Sequence, residues 1–335
     1  MRLYHVFLSA AITAPQVPGS GVDRMPQRAE SFGEGLYQIF RRSLELLRPD
    51  LAEAAQVSLS ILALVMLLSL VHQFPQNKSK TCDLVGALGI GAILLQRTNS
   101  LIQLGLETVT ELSAYGKLLI PVMTSALAAQ GGVTKSTALF AGTTLFSTVL
   151  CSLISGWMPS LICFYLALST GSCALEEDVL KKMAGFVSWA ASWVLKIILY
   201  VFTGYIGVTG VVSGTTDASL LKAAKLTISG MVPVVGGILS DASEAVLVSA
   251  GVMKSAAGIY GILAIVAVFA GPFLRIGVHY LLLKLTGLLC GLFGSKACTR
   301  LVSDFSSAMG LILAMTGSEC LLLLISTVCF LKGVG

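Results

Sequence analysis

Residues 230–244 read GMVPVVGGILSDASE and lie between long apolar runs. The stretch places three helix breakers and two acids at membrane depth: Pro233, Gly236, Gly237, Asp241 and Glu244. A bilayer core offers no water to the backbone groups that Pro and Gly leave unpaired. Broken backbone therefore persists there only where it is buried in protein or lines a polar cavity. The sequence thus predicts a functional element of a membrane protein at this point.

The composition of the whole chain is that of a polytopic membrane protein. Of its 335 residues, 55% are apolar and 12% are charged, and the mean hydropathy is +0.87. Soluble domains carry about 25% charged residues. The formal net charge of +5 is spread along the chain without a basic block between aromatic residues, so we expect no nucleic-acid binding. The eight cysteines form no C-x-x-C motif and are expected to be small core residues.

Four regions follow from the pattern. Residues 1–14 resemble a secretory signal segment, with a basic residue before a short apolar stretch. Residues 15–31 are rich in Pro and Gly and are predicted to be a linker. Residues 32–56 are predicted to form an amphipathic helical appendage on the membrane surface, with Pro49 opening the next helix. Residues 57–331 are predicted to form the transmembrane domain.

Apolar length predicts an all-α fold of about eight transmembrane helices, at about 20 residues for each crossing. The predicted spans are 57–74, 84–109, 136–155, 158–173, 184–212, 258–270, 273–292 and 305–330. Turns are predicted at residues 156–159 (GWMP) and at Gly271-Pro272. Lys78 and Lys80 follow the first span and favour a cytoplasmic loop there, with the N-terminal helix outside the cytoplasm. Lys222, Lys225, Lys296 and Arg300 fall on the cytoplasmic side in this topology, and Lys181, Lys182 and Arg275 fall opposite.

Two shorter apolar segments are predicted to be broken or re-entrant. The candidate breaks are Pro121, Gly131 and Gly132 in the first segment and Pro233, Gly236 and Gly237 in the second. Each segment is followed by a Lys-Ser pair and by two predicted spans. Interruptions at matching positions are typical of inverted repeats around a transport site. The alternative is chance recurrence in a biased composition.

Glu319 is the first candidate for an interior polar residue, because ionisable groups deep inside a span are rare and commonly functional. Lys196 is its first expected partner, with His279 and Lys284 as alternatives. Glu319 could instead belong to an ion pair that only holds helices together, and Lys196 could snorkel.

Asp241 and Glu244 are three residues apart and share a face if the segment is helical. They could line a polar path or form the exposed face of an interfacial helix. No H-E-x-x-H or G-x-S-x-G motif occurs, and the three histidines are scattered. We therefore expect neither an enzyme nor a bound metal or cofactor.

The chain resembles the stage III sporulation protein AE family of endospore-forming bacteria over about residues 32–331. The resemblance rests on an ordered set of residues: Asp217, Lys222, Lys225, residues 233–236 (PVVG), residues 240–242 (SDA), Lys254 and Gly258. Residues 120–122 (IPV), Gly131-Gly132 and the amphipathic helix also fit. The signal-like segment and the stretch before the amphipathic helix are shorter than the family pattern, which puts export of the N-terminus in doubt.

The resemblance implies a mother-cell membrane complex that meets a forespore partner across two septal membranes and forms a channel or secretion-like conduit. Its implied partners are other membrane proteins and an ATPase, and its implied location is the mother-cell membrane around the forespore. The residues alone also support a self-contained secondary transporter coupled through Glu319 or Asp241. A scaffold that only recruits partners would leave the buried charges without a role.

Overall fold

The computed structural model describes residues 32–72, 80–129, 133–175, 177–208, 256–293 and 296–332. Within these ranges the chain forms seven α-helices and no strand. They are α1 (Phe32–Leu46), α2 (Arg48–His72), α3 (Lys80–Ala129), α4 (Val133–Leu175), α5 (Asp178–Val208), α6 (Ala256–Phe293) and α7 (Lys296–Lys332). Six of the described helices, α2 to α7, are long and apolar enough to cross a membrane. The all-α polytopic prediction is thereby confirmed.

The predicted division into eight spans is not confirmed, because two pairs of predicted spans are single helices. Helix α4 continues through Pro159 and α6 continues through Pro272, so the turns predicted at these prolines are wrong. A proline removes one backbone hydrogen bond, and membrane helices tolerate this loss where neighbouring helices and hydroxyl side chains surround it. With 43 and 38 residues, α4 and α6 extend for about 65 and 57 Å at 1.5 Å per residue.

The break predicted at Pro121 is also absent, since Pro121 lies inside the continuous 50-residue helix α3. Two hydroxyls bond to carbonyls beside the proline. Thr124 Oγ1 donates to Ile120 O at 2.7 Å, and Ser125 Oγ donates to Val122 O at 2.9 Å. The remaining candidate breaks lie outside the described residues: Gly131, Gly132, Pro233, Gly236 and Gly237.

Helix α7 is the centre of the bundle and contacts α3, α4, α5 and α6. Between residues 311 and 330, only Ala314 and Ile325 are not fully buried. The first half of α6 is similarly enclosed, because residues 261–270 are buried on every side. The buried part of α7 contains Thr316, Ser318, Glu319 and Ser326, and its central position keeps these polar side chains away from lipid.

Close contacts fix how the helices run. Tyr280 of α6 packs against Gly310 of α7, and Val302 packs against Gly287, so α6 and α7 are antiparallel. Helix α3 runs parallel to α7, because a side chain at Gly105 would meet Met315 and one at Gly116 would meet Leu323. The glycines allow the backbones to approach closely, as small residues do in membrane bundles.

The predicted amphipathic segment begins with α1, which packs onto α6 and α2. Its buried positions, Gly35, Ile39 and Ser43, follow at intervals of four residues, while Arg41 and Arg42 are exposed. The narrow buried face of α1 therefore contacts protein. Pro49 lies in the first turn of α2, as predicted.

Candidate functional site in the α4–α7 seam

Glu319 lies in the middle of the buried part of α7, with none of its surface exposed. Ser147 of α4 donates a hydrogen bond from Oγ to Glu319 Oε1 at 2.5 Å. The other carboxyl oxygen, Oε2, is buried and has no hydrogen-bond partner among the described residues. A buried carboxyl group is thus held by one serine hydroxyl.

The expected cationic partners of Glu319 do not pair with it in the described part of the chain. Lys196 is half-buried on α5, next to Leu195, whose side chain faces the bundle instead. His279 Nδ1 faces Arg275 O at 2.9 Å, and Lys284 Nζ lies 5.9 Å from the ring centre of Tyr280. The described residues thus show no ion pair between Lys196 and Glu319. A cation that does act on Glu319 electrostatically is Lys117 of α3, which is exposed.

Two further contacts place Glu319 within a longer polar seam between α4 and α7. Thr143 Oγ1 donates to Ser326 Oγ at 3.0 Å, and Ser169 Oγ donates to Asp304 Oδ2. Residue numbers rise along α4 as they fall along α7, so these helices are antiparallel. We call the three contacts, Thr143–Ser326, Ser147–Glu319 and Ser169–Asp304, the α4–α7 seam.

Asp304 is the second carboxyl group of the seam, and sequence reasoning missed it. It was placed one residue outside the predicted last span, although the helix that contains it begins at Lys296. Tyr165 also forms a side-chain hydrogen bond with Asp304, and Arg300 and Lys181 act on it electrostatically. Asp304 thus has two cations near it, whereas Lys117 alone among the described cations acts on Glu319. A last span that began where helix α7 begins, at Lys296, would have included Asp304.

The seam is polar toward its two ends and apolar between its carboxyl groups. Glu319 and Asp304 are 15 positions apart on α7, which corresponds to about 22 Å along the helix. In the intervening part of α4, Ile154, Met158 and Ile162 are completely buried. The conformation therefore holds two separate carboxyl sites without a continuous polar path between them.

A second charged cluster joins α2, α3 and α6. Asp50 Oδ1 lies 2.9 Å from Arg275 Nε, and Glu53 forms an ion pair with Arg97. The Arg275 Nε makes no hydrogen bond of suitable geometry, so its contact with Asp50 is mainly electrostatic. Two acids thus balance two arginines. Sequence analysis assigned Arg275 only to a side of the membrane and did not identify the cluster, because the acidic partners lie in a distant part of the chain.

A small cavity of about 10 Å³ adjoins this cluster. Arg97, Thr98, Ser58 and His279 contribute its polar lining, and its other walls are apolar. The volume is about that of one water molecule. The cluster therefore has room for a bridging water but for no larger ligand.

The remaining predicted site residues, Asp241 and Glu244, lie outside the described residues. Within the described ranges, no group of three or more His, Cys, Asp or Glu side chains could hold a metal ion. The arrangement can therefore hold carboxyl groups at membrane depth and balance charge between helices.

Comparison with known proteins gave a curated relative and a matching family model. An alignment with Stage III sporulation protein AE of Bacillus subtilis (strain 168) shows 28% identity over 171 residues. The alignment covers 51% of this chain and 43% of that relative, which is less than half of the relative's length. No solved structure matches the chain. The family model described as Stage III sporulation protein AE matches residues 28–333, and the chain therefore belongs to the stage III sporulation protein AE family.

Proposed function

We propose that this chain is a membrane subunit of a channel or secretion-like complex that links mother cell and forespore and supports late forespore development. The observation that carries the proposal is the family match over residues 28–333, in a chain whose described part has six helices able to cross a membrane. A sporulation protein with this architecture acts at a membrane. The conduit role is the finer part of the proposal.

The buried carboxyl groups support a role beyond anchoring. An ionisable residue at the centre of a membrane helix costs on the order of 2.5–3.5 kcal/mol on insertion scales. Glu319 is completely buried and receives only the Ser147 hydrogen bond from the described residues. A helix that only anchored the protein would be more stable with an apolar residue there. We infer that Glu319 has a functional role in the complex.

The proposed partners are other membrane proteins of the same complex and an ATPase that would supply energy. The proposed location is the mother-cell membrane around the forespore. Crosslinking in sporulating cells followed by purification of the tagged chain tests the partners, and a fluorescent fusion imaged after engulfment tests the location. Recovery of the chain alone, or fluorescence distributed evenly over all membranes, would contradict this part of the proposal.

The central experiment is complementation in an endospore-forming bacterium that lacks its own member of the family. The chain should restore heat-resistant spores and late forespore transcription, measured with a forespore reporter after engulfment. Glu319→Gln should reduce both while the protein level is unchanged. Thr148→Ala is the matched control, because Thr148 is exposed and bonds only to Thr144 O of its own helix. Failure of the unaltered chain to complement, with normal membrane insertion, would overturn the proposal.

A second candidate function is a self-contained secondary transporter, and the observation that favours it is again Glu319. A carboxyl group that is buried without an ion pair among the described residues could exchange a proton or cation during transport. The two functions differ in their need for partners. A transporter would support forespore development after deletion of the genes for the partner membrane proteins, whereas a conduit subunit would not.

A further inference from the structure

The outward face of α3 changes character along its length. Its first part exposes Val85, Leu88 and Leu95, whose side chains are 57%, 51% and 38% accessible. From the next turn onward the same face exposes polar residues at spacings of three and four: Gln96, Asn99, Gln103, Glu107 and Thr110. Residues at this spacing share one face of a helix. We call residues 96, 99, 103, 107 and 110 the α3 polar stripe.

The neighbouring helix α4 also exposes polar and small residues, beside the larger Trp157 and Phe164. Cys163 of α4 is exposed, and its Sγ lies 3.9 Å from Asn99 Oδ1 in the stripe. Toward the N-terminus of α4, the exposed positions include Ser152, Ser155 and Ser160. Because α3 and α4 are antiparallel, as Gly91 against Thr170 also shows, these serines run alongside the stripe. The two helices thus present a joint polar surface.

The opposite side of the bundle is apolar at the same depth. Leu180 of α5 packs beside Gly171 of α4, and Tyr205 donates to Ala138 O at 2.9 Å, so α4 and α5 are antiparallel. Cys163 is eight positions before Gly171 and is therefore level with residue 188 of α5. Asn99 of α3 lies beside Cys163 and is therefore also level with residue 188. Helices α3 and α5 are both antiparallel to α4 and so run in the same direction. Thr110 is eleven positions beyond Asn99 and is thus level with about residue 199 of α5, at a rise of 1.5 Å per residue in both helices.

Between these levels α5 exposes aromatic and aliphatic side chains. Trp189 is 53% accessible and Trp193 is 43% accessible, and their ring centres are 5.7 Å apart. Ile197, one turn further on, is 47% accessible. Exposed apolar groups of this size in a membrane protein face lipid, with Trp favoured near the interface. At this depth the outward face of α5 is thus apolar where that of α3 is polar.

We propose that the α3 polar stripe, together with the adjoining surface of α4, lines a hydrated path at the depth where α5 faces lipid. Polar side chains exposed to hydrocarbon would be costly, whereas water satisfies them. The stripe contains one acid, Glu107, and no basic residue. The path is therefore suited to small cations and neutral hydrophilic solutes and disfavours anions. The inference rests on the proposed function, because it assigns the conduit role to one face of the subunit.

The test is cysteine accessibility in the full-length protein in its membrane. Single cysteines replace Gln103, Glu107 and Thr110 in the stripe, Leu88 on the apolar part of α3, and Trp193 on α5. A permanently charged, membrane-impermeant methanethiosulfonate should modify the three stripe positions roughly tenfold or more faster than the other two. The reagent reacts with the thiolate form of cysteine, and a thiol ionises readily in water but not in lipid. Labelling after denaturation controls for protein amount.

Two outcomes would overturn the inference. Modification of Trp193→Cys as fast as the stripe would mean that this level lies outside the bilayer. Stripe cysteines that react only after solubilisation would mean that lipid or a protein partner covers the face. If the cysteine-depleted background does not fold, mass spectrometry of the unaltered protein gives a second test. Exposed Cys163 should then be modified and buried Cys173 and Cys320 should not.

The preferred solute class has its own measurement. A cationic methanethiosulfonate should modify Gln103→Cys faster than an anionic one of similar size, and Glu107→Gln should reduce this ratio. A faster reaction with the anionic reagent would contradict the assignment to cations. Spore yield is measured in the same strains. If the chain restores spore formation but the stripe cysteines do not react, the hydrated path is contradicted and the proposed function stands. If the stripe cysteines react but the chain does not restore spore formation, the hydrated path stands and the proposed function is contradicted.

Discussion

Ser147 and Glu319 are joined by a 2.5 Å hydrogen bond across the α4–α7 interface, although they are 172 residues apart in the chain. The contact places a hydroxyl group where a lysine was expected to pair with the carboxyl group. It also sets the register of two antiparallel helices, with Thr143–Ser326 and Ser169–Asp304 on either side. Loss of the Ser147 hydrogen bond should therefore weaken the contact between α4 and α7.

Ser147→Ala should destabilise the protein by about 1–3 kcal/mol, because it leaves a buried carboxyl group without its hydrogen-bond donor. The effect is measured as a lower unfolding midpoint of the purified protein in detergent. The control, Thr148→Ala, changes an exposed neighbour that bonds within its own helix and should shift stability by no more than about 0.5 kcal/mol. Equal effects of the two substitutions would mean that the Ser147 hydrogen bond is unimportant.

The contact between Asp50 and Arg275 should give a measurable coupling energy in a double-mutant cycle. The two side chains are 18% and 40% exposed, so solvent screening limits the expected coupling to on the order of 1 kcal/mol. The comparison pair is Arg41–Glu45, which is exposed and lies within one helix at 3.2 Å. Its coupling should be about 0.3–0.5 kcal/mol. A value for Asp50–Arg275 below that of the comparison pair would contradict a structural role for the charged cluster.

Gly142→Ala should loosen the packing of α4 against α5. A Cβ atom at this position would overlap the ring of Tyr205, so the ring must move and its hydrogen bond to Ala138 O is disturbed. Overpacking of this kind costs about 1–3 kcal/mol. On the same helix, no atom lies within 4 Å of a Cβ built on Gly156. Gly156→Ala should therefore be neutral or stabilising by up to about 1 kcal/mol through helix propensity, and the two unfolding midpoints provide the comparison.

The end of the bundle at which α2 ends and α3 begins should lie in the cytoplasm. Helices α2, α4 and α6 end where α3, α5 and α7 begin, as shown by Leu68 beside Gly86, Leu180 beside Gly171 and Thr299 beside Gly291. In the described residues this end contains Lys80, Lys181, Lys182, Lys296 and Arg300, and the opposite end contains Lys117, Lys135 and Lys332. Lys181 and Lys182 thus join the side expected to be cytoplasmic instead of opposing it. Because Arg41, Arg42 and Arg48 lie at or before the start of α2 on the other side, the basic residues of the described part are almost evenly divided, and the prediction rests on Lys78 and Lys80 after α2.

Cysteine labelling of intact cells checks this orientation. Ser79→Cys should react with an impermeant reagent only after the membrane is opened, whereas Lys135→Cys should react without opening. The orientation is reversed if residue 79 is labelled from outside and residue 135 is protected.

Much of the architecture could be predicted from sequence, because the bilayer imposes a simple rule. Apolar length predicted a polytopic all-α protein, the spacing of Ile39 and its neighbours predicted α1, and Pro49 marked the start of α2. The number of spans could not be read in this way. Pro159 and Pro272 resemble turns in a sequence, and whether the helix continues through a proline depends on the groups packed around it.

By itself, the sequence determined that the chain crosses a membrane, where its apolar segments lie, and that Glu319 is at membrane depth, since hydropathy is a property of each segment. Only the tertiary structure decided that Ser147 holds Glu319, that Asp304 belongs to the same seam and that Arg97 and Arg275 find acids on α2. Only the tertiary structure also showed that α3 exposes polar side chains at the level where α5 exposes apolar ones. These relationships depend on the rotation and register of helices distant in sequence, and no local pattern encodes either quantity.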